Sequence, residues 1–306
     1  MTAKIVVVGS FNMDLVAYIP RFPRPGESIL GSRYLSNPGG KGSNQAVAAA
    51  RLNADVTYVG RIGTDAFGDA AIDLWGREQV NTRYVVRDRK NATGVSLIYV
   101  SDAGSDNTIA CVPGANMALS RKDVDGAAEA IARAQVILTQ LENPLETTAW
   151  ALRLGRMSGA LTVLNPAPGS PVLPDLLASA DYITPNQTEL EILTGGTFDD
   201  PAVAARHLIV DERQTIIVTL SERGALIVTR EAEELVPAFP VKVVDSTGAG
   251  DAFSAGLAVA LAEGRETPEA VRFANAVAAL SCTRPGTAQS MPTRVALDEF
   301  LEAQRA

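Results

Sequence analysis

Short apolar runs rich in β-branched residues recur along the chain, at 4–9 (KIVVVG), 56–60 (VTYVG), 135–142 (QVILTQLE), 160–166 (ALTVLNP), 181–186 (DYITPN) and 215–220 (TIIVTL). Each is bounded by turn formers and is nearly continuous in its hydrophobicity, the pattern of strands buried on both faces of a parallel sheet. Between them lie helical patterns at 43–53, 66–79, 120–134, 145–158 and 200–211, with further ones at 251–264, 267–282 and 295–306. Strand and helix in alternation predict right-handed βαβ units and an α/β fold, an open, mostly parallel sheet flanked by helices. Residues 15–38 and 93–112 depart from this. They show strand-like alternation with Pro and Gly, the second as a hairpin turning at Gly104–Asn107, and predict a small projecting β-sheet.

Composition changes the picture at a few points. With 46% hydrophobic residues, the 306-residue chain can bury a sizeable core, and we expect one domain over 1–306. A net charge of −8 offers no basic footprint for nucleic acid, while local N–H groups and a divalent cation can still bind a small anion. Cys111 and Cys282 lie far apart and His207 is the single histidine, which argues against a disulfide framework or a Cys/His zinc site. The opening MTAKIVVVGS lacks a signal-peptide core and no apolar run reaches membrane-spanning length. The expectation is a reduced, cytoplasmic protein with no membrane partner.

The stretch VVDSTGAGDAFSAGLAVAL at 243–261 carries the first candidate chemistry. Phe253, Leu257, Ala260 and Leu261 share a helical face, predicting an amphipathic helix over 251–264 that follows a strand-like VKVVD. Gly248, Ala249 and Gly250 would form its entry turn. Such a turn offers unpaired N–H groups and the positive helix end, without Cβ atoms to hold an anion away. Asp251 beside it can take a proton from a hydroxyl attacking a phosphoryl group. The helix end is expected to lower the pKa of Asp251, so that proton transfer comes late. Taken alone, Gly-x-Gly-Asp reads equally as an ordinary helix start with an acidic first turn. Neither G-x-G-x-x-G, where Phe253 replaces the third glycine, nor a Walker A loop, where Gly42 follows Lys41, is matched.

Further motifs decide between these readings. GSFNMD (9–14), NPGGKGSNQAVAAARL (37–52), PNQTE (185–189), VDSTGAGDAFSAG (244–256) and TRPGTAQSMP (283–292), in this order, resemble the ribokinase-type (PfkB-like) carbohydrate kinases over essentially the whole chain. The resemblance implies ATP-dependent phosphorylation of a sugar, D-ribose at its 5-hydroxyl. Asp251 would act as general base and Gly248–Gly250 as anion hole, with the strands of 15–38 and 93–112 forming a lid. It also implies Mg²⁺, an activating K⁺ and a homodimer paired through the lid strands. Fructose, 2-keto-3-deoxygluconate, deoxyribose and adenosine stay open as alternative acceptors, as does a non-catalytic sugar or nucleotide sensor on the same fold.

By the same resemblance, the sugar site comprises Asn12, Asp14, Gly39, Gly40, Lys41, Asn44, Glu142 and Asp251. Carboxylates and amides suit a ring of hydroxyls, each of them donor and acceptor. Asn186, Glu189, Thr219, Gly224, Gly250 and Asn275 match nucleotide positions, Glu189 also helping to hold Mg²⁺ and its waters. Asp245, Thr247, Ser281, Arg284, Gly286 and Ser290 match the K⁺ positions, Arg284 through its carbonyl. Ser221 stands where the family usually has Gly. Plain structural readings exist beside these: an Asx turn at Asn12–Asp14, a helix cap at Ser43 or Asn44, and a capping box at Asn186–Glu189. Lys41 and Glu142 could equally be solvated, and Asn275 an ordinary helical residue.

Overall fold

The computed structural model describes residues 2–101, 107–171 and 174–304. Strand β1 (Lys4–Val8) shows why the apolar runs are continuous. Ile5 and Val7 pack on one face of the sheet in a cluster with Phe253 and Val277, while Val6 and Val8 pack on the other with Ile131 and Ala151. The chain continues through β2 (Asn12–Ile19), β3 (Arg33–Gly39), α1 (Lys41–Arg51), β4 (Asp55–Gly63), α2 (Ala66–Arg77) and β5 (Asn81–Asp88). Next come β6 (Gly94–Ser101), β7 (Asn107–Val112), α3 (Arg121–Gly126), α4 (Ala128–Ile131), β8 (Val136–Thr139), α5 (Leu145–Met157) and β9 (Leu161–Leu164). Then α6 (Pro174–Leu177), β10 (Tyr182–Ile183), α7 (Gln187–Thr194), α8 (Pro201–Leu208), β11 (Thr215–Thr219), β12 (Ala225–Val228) and β13 (Glu233–Val236) follow. The last helices are α9 (Ala249–Ala262), α10 (Thr267–Ser281) and α11 (Arg294–Ala303).

The main sheet has nine strands in the order β13-β12-β11-β10-β9-β8-β1-β4-β5. Its pairs are parallel except at one edge, where β12 runs antiparallel to both β11 and β13. The expected open, mostly parallel α/β sheet is what forms. β5, β12 and β13 are not among the strands the pattern predicts. β5 and β13 are half-exposed edge strands with polar positions, and β12 is only four residues long. The order changes direction at β1, which has β4 on one side and β8 on the other. That is the kind of switch point beyond whose carboxyl ends open α/β sheets bind ligands.

A separate four-stranded sheet has the order β3-β2-β6-β7. Its central pair β2/β6 is parallel and its outer pairs are antiparallel. Of the turn expected at Gly104–Asn107, residues 104–106 lie outside the described residues, and Asn107 begins β7.

Two local expectations are corrected. VKVVD is not a strand: Val243 and Val244 are exposed, in irregular backbone whose Val244 and Asp245 amides bond the Cys282 carbonyl. Helix α9 is not amphipathic but buried on all sides from Asp251 to Ala262. α10 covers the side that a surface helix would expose, with Ala274 and Val277 against Gly256. Among the described residues no helix is long and apolar enough to cross a membrane.

Candidate active site

Helices α1 and α9 both begin beyond the carboxyl ends of the central strands, and their first turns are joined by side-chain hydrogen bonds. Gly248 caps α9 at φ 81°, ψ 1°, in the left-handed region that other residues rarely adopt. The Ala249 amide bonds back to the Ser246 carbonyl at 3.1 Å, and the amides after it open a first turn for which helix geometry supplies no acceptor. A Cβ on Gly250 would stand in open space. Gly248, Ala249, Gly250 and Asp251 line a cavity of about 160 Å³ with Lys41, Asn186, Glu189 and Thr219. Donors of this kind at a positive helix end form an anion cradle.

Asp251 is only 6% exposed. Its Oδ2 accepts from Asn44 Nδ2 at 2.9 Å and its Oδ1 from Gln45 Nε2 at 3.0 Å. The expectation of a lowered pKa is overturned. Burial pushes the carboxyl up, and the Lys41 charge and the two amide donors only partly offset this. Lys41 is the converse: burial opposes its charge, but Asp251, Glu142 and Glu189 outweigh that and hold the ammonium above its usual value. The expected caps of α1 are also corrected. Gly40 is the N-cap, Ser43 is buried and accepts from Trp75 Nε1 at 3.0 Å, and Asn44 turns to Asp251.

The remaining sugar-site candidates converge on the same place. Glu142 lies in the bend after β8 rather than at the strand end. It accepts from the Ser10 hydroxyl, from the Lys41 amide at 2.9 Å and from Asn12 Nδ2 at 3.5 Å. Asn12 is fixed from behind, its Oδ1 accepting from Asn116 Nδ2 at 2.9 Å. Asp14 sits on the four-stranded sheet opposite Gly39's strand, and burial raises its pKa to about 6, with Glu142 and Asp251 adding to the rise and a Ser96 hydrogen bond opposing it. Buried Asn44 Oδ1 has no hydrogen-bond partner among the described residues. An orphan acceptor beside a carboxylate suits a hydroxyl donor.

On the other side of the cavity, Asn186 and Glu189 do form a capping box on α7, at 2.8 and 2.9 Å, and both still line the cavity. Thr219 lines it from the end of β11. Gly224, at φ 104°, has no room for a side chain because the Val236 carbonyl lies there. Ser221, standing for the family's usual Gly, does adopt a glycine-like φ of 54°. Asn275 Nδ2 donates to the Val236 and Pro237 carbonyls, both at 3.1 Å, so this amide ties α10 to the segment after β13.

Asp245 draws two loops together, its carboxylate accepting the amides of Thr247 and Gly286, each at 2.9 Å. Burial opposes its charge, but the Thr247 side chain together with these two amides outweighs that and lowers its pKa. Ser281 and Ser290 hydroxyls bond local carbonyls at 2.8 Å. Arg284 lies between them in the same loop. An oxygen-rich junction of two backbone loops is compatible with a large, weakly hydrated cation.

Sequence reasoning passed over Ser10, Asn116, Gln45, Gln140 and Asn165. The last three are buried polar residues, each joined to the Asp251 network. Polar types inside apolar helix and strand patterns were the available signal.

The model of the pfkB family carbohydrate kinases matches residues 2–294. The chain is 38% identical to the ribokinase of Haemophilus influenzae, with 99% of each chain covered. It is 41% identical to a deoxyribokinase of Salmonella typhi, over 97% of this chain and 98% of the other. Among solved structures, the Arabidopsis thaliana ribokinase complexed with ribose and ATP superposes with a TM-score of 0.90 at 32% identity, covering 98% of this chain and 99% of that one.

Proposed function

Because the chain belongs to the pfkB family of carbohydrate kinases and is an ATP-dependent sugar kinase, we propose that its acceptor is D-ribose, phosphorylated on the 5-hydroxyl, with Asp251 as general base. The observation that carries the reading is the juxtaposition of a buried, amide-held carboxylate with a helix-end anion cradle and an Asn44 oxygen unpartnered among the described residues.

The sugar is held by Asn12, Asp14, Asn44 and Glu142, with backbone approach at Gly39 and Gly40. Lys41, held charged, places its ammonium among the carboxylates and lines the phosphate cavity. As the sugar oxygen forms its bond to the γ-phosphorus, the bond to the departing ADP oxygen breaks and the hydroxyl proton passes to Asp251. Amides of Gly248, Gly250 and Asp251 hold the charge on the transferring group, so most of the acceleration is electrostatic and positional. Asn186, Thr219, Gly224 and Asn275 flank or support the nucleotide. Glu189, a hard oxygen donor on the cavity wall, would hold Mg²⁺ through its waters, and that ion would neutralise phosphate charge. Asp245, Thr247, Ser281, Arg284, Gly286 and Ser290 would hold K⁺, chiefly through carbonyls, and so stiffen the loop before Gly248.

The four-stranded sheet acts as a lid on the single 1–306 body, its moving strands lying in 15–38 and 93–112, and excludes water from the transfer. On the face that carries Asp14, the next row (Leu35, Val16, Ile98, Ile109) is apolar, with Leu35 39% and Ile109 52% exposed. A second copy covers this row in a homodimer.

Initial rates with ATP and Mg²⁺ on ribose, 2-deoxyribose, fructose and adenosine test the proposal. Ribose is expected to have the highest kcat/KM. Equal or better use of another acceptor overturns the ribose assignment. The 41% identity to a deoxyribokinase makes 2-deoxyribose the sharpest comparison.

A further inference from the structure

Gln45 is fully buried in the first turns of α1, where an apolar side chain would be the ordinary choice. Its Nε2 donates to Asp251 Oδ1 and to Asn165 Oδ1, both at 3.0 Å, and its Oε1 accepts from Gln140 Nε2 at 2.6 Å. Asn165 in turn donates through Nδ2 to the Thr184 carbonyl at 3.2 Å. This chain has one direction. The Thr184 carbonyl can only accept, so Asn165 must turn its Nδ2 toward it and its Oδ1 toward Gln45. Gln45 must then present Nε2 at that point, and the second hydrogen of the same nitrogen points at Asp251. Flipping either amide sets oxygen against oxygen at a buried site and leaves both without a donor.

We propose that Gln45 is a positioning residue for phosphoryl transfer, fixing the orientation of the Asp251 carboxylate through a directional chain of buried amides anchored on the Thr184 backbone carbonyl. The assignment rests on the reading of Asp251 as the general base. Among the described residues, Gln45 is one of two neutral donors to Asp251, beside Asn44. Among the described residues the charged groups coupled to Asp251 are Lys41 at the start of α1, Asp14 on β2 and Glu189 on α7. Two of these three are acidic, so a donor on Oδ1 matters for keeping the base ionised as well as aligned.

The test is the pH profile of kcat at saturating sugar and ATP. Gln45→Met keeps the volume and removes the donor. Its acid limb is expected to move up by about one pH unit, and its plateau to fall roughly tenfold from misalignment. Sugar affinity without ATP is expected to stay within about threefold. Gln140→Leu provides the second variant. It removes a donor to Gln45 while its other atom, Oε1, already lacks a partner among the described residues, and it is expected to shift the limb in the same direction by less. In an Asp251→Asn background, Gln45→Met is expected to add no further loss. A wild-type acid limb in both single variants overturns the role of Gln45. Full turnover by Asp251→Asn alone would instead overturn the base reading beneath it, so the two failures are distinguishable.

Discussion

The Asp14 carboxylate occupies the space where a side chain on Gly39 would begin. β3 reaches this close to β2 because the two strands pair in register, Asn12 opposite Gly39 and Asp14 opposite Asn37. Gly39→Ala is therefore expected to push the carboxylate aside without unfolding the sheet. Losing a hydrogen bond to a charged group costs about 1.5–3 kcal/mol. Steady-state kinetics are expected to show the sugar KM rising tenfold or more while the KM for ATP stays unchanged.

Asp14 also sets a pH dependence. Its carboxyl is raised from 3.8 to about 6, first by burial. Ionisation is thus harder in the folded protein than in the unfolded chain. The stability this group contributes is complete below pH 3.8 and is lost as pH rises through about 6. Sugar binding runs the other way, since the carboxylate accepts hydroxyl hydrogens best when charged. Calorimetric titrations from pH 5 to 8 are expected to show sugar affinity weakening below about pH 6, and Asp14→Asn is expected to flatten that dependence.

Ser221 holds a left-handed φ of 54° between β11 and β12. That conformation costs a residue with a Cβ about 1–2 kcal/mol, partly offset because glycine leaves the unfolded chain more freedom. Thermal unfolding of Ser221→Gly is expected to show a gain of up to about 1 kcal/mol with sugar affinity unchanged. A lower melting temperature would mean that the serine hydroxyl makes a compensating bond.

The junction held by Asp245 predicts a cation response. Replacing KCl by a large organic cation at constant ionic strength is expected to lower kcat several-fold. Asp245→Ala releases the Thr247 and Gly286 amides together and is expected to abolish the difference between the two salts.

The hydropathy of runs such as Lys4–Val8 was enough to specify a sheet covered on both faces, because alternate residues enter two different cores. Of the motif positions, Lys41, Asn44, Gly248, Gly250 and Asp251 meet at the ends of α1 and α9, whereas Gly224 and Asn275 lie against the segment after β13. What failed did so where the outcome depends on distant chain. α9 reads as amphipathic until α10 closes over Gly256. The ionisation of Asp251 is governed by burial, which a local helix-end argument does not contain. Gln45 stands out locally only as a polar residue in an apolar helix, and its partners could not be read from there, since Gln140 and Asn165 lie 95 and 120 residues away in sequence.

The most direct test of the whole account is single-turnover phosphoryl transfer by Asp251→Asn, measured beside sugar affinity in the same preparation. The account expects sugar binding within a few-fold of the unaltered protein and transfer slowed roughly 10²- to 10⁴-fold, the range for a lost general base. Transfer at near the unaltered rate, with the fold intact, would contradict it.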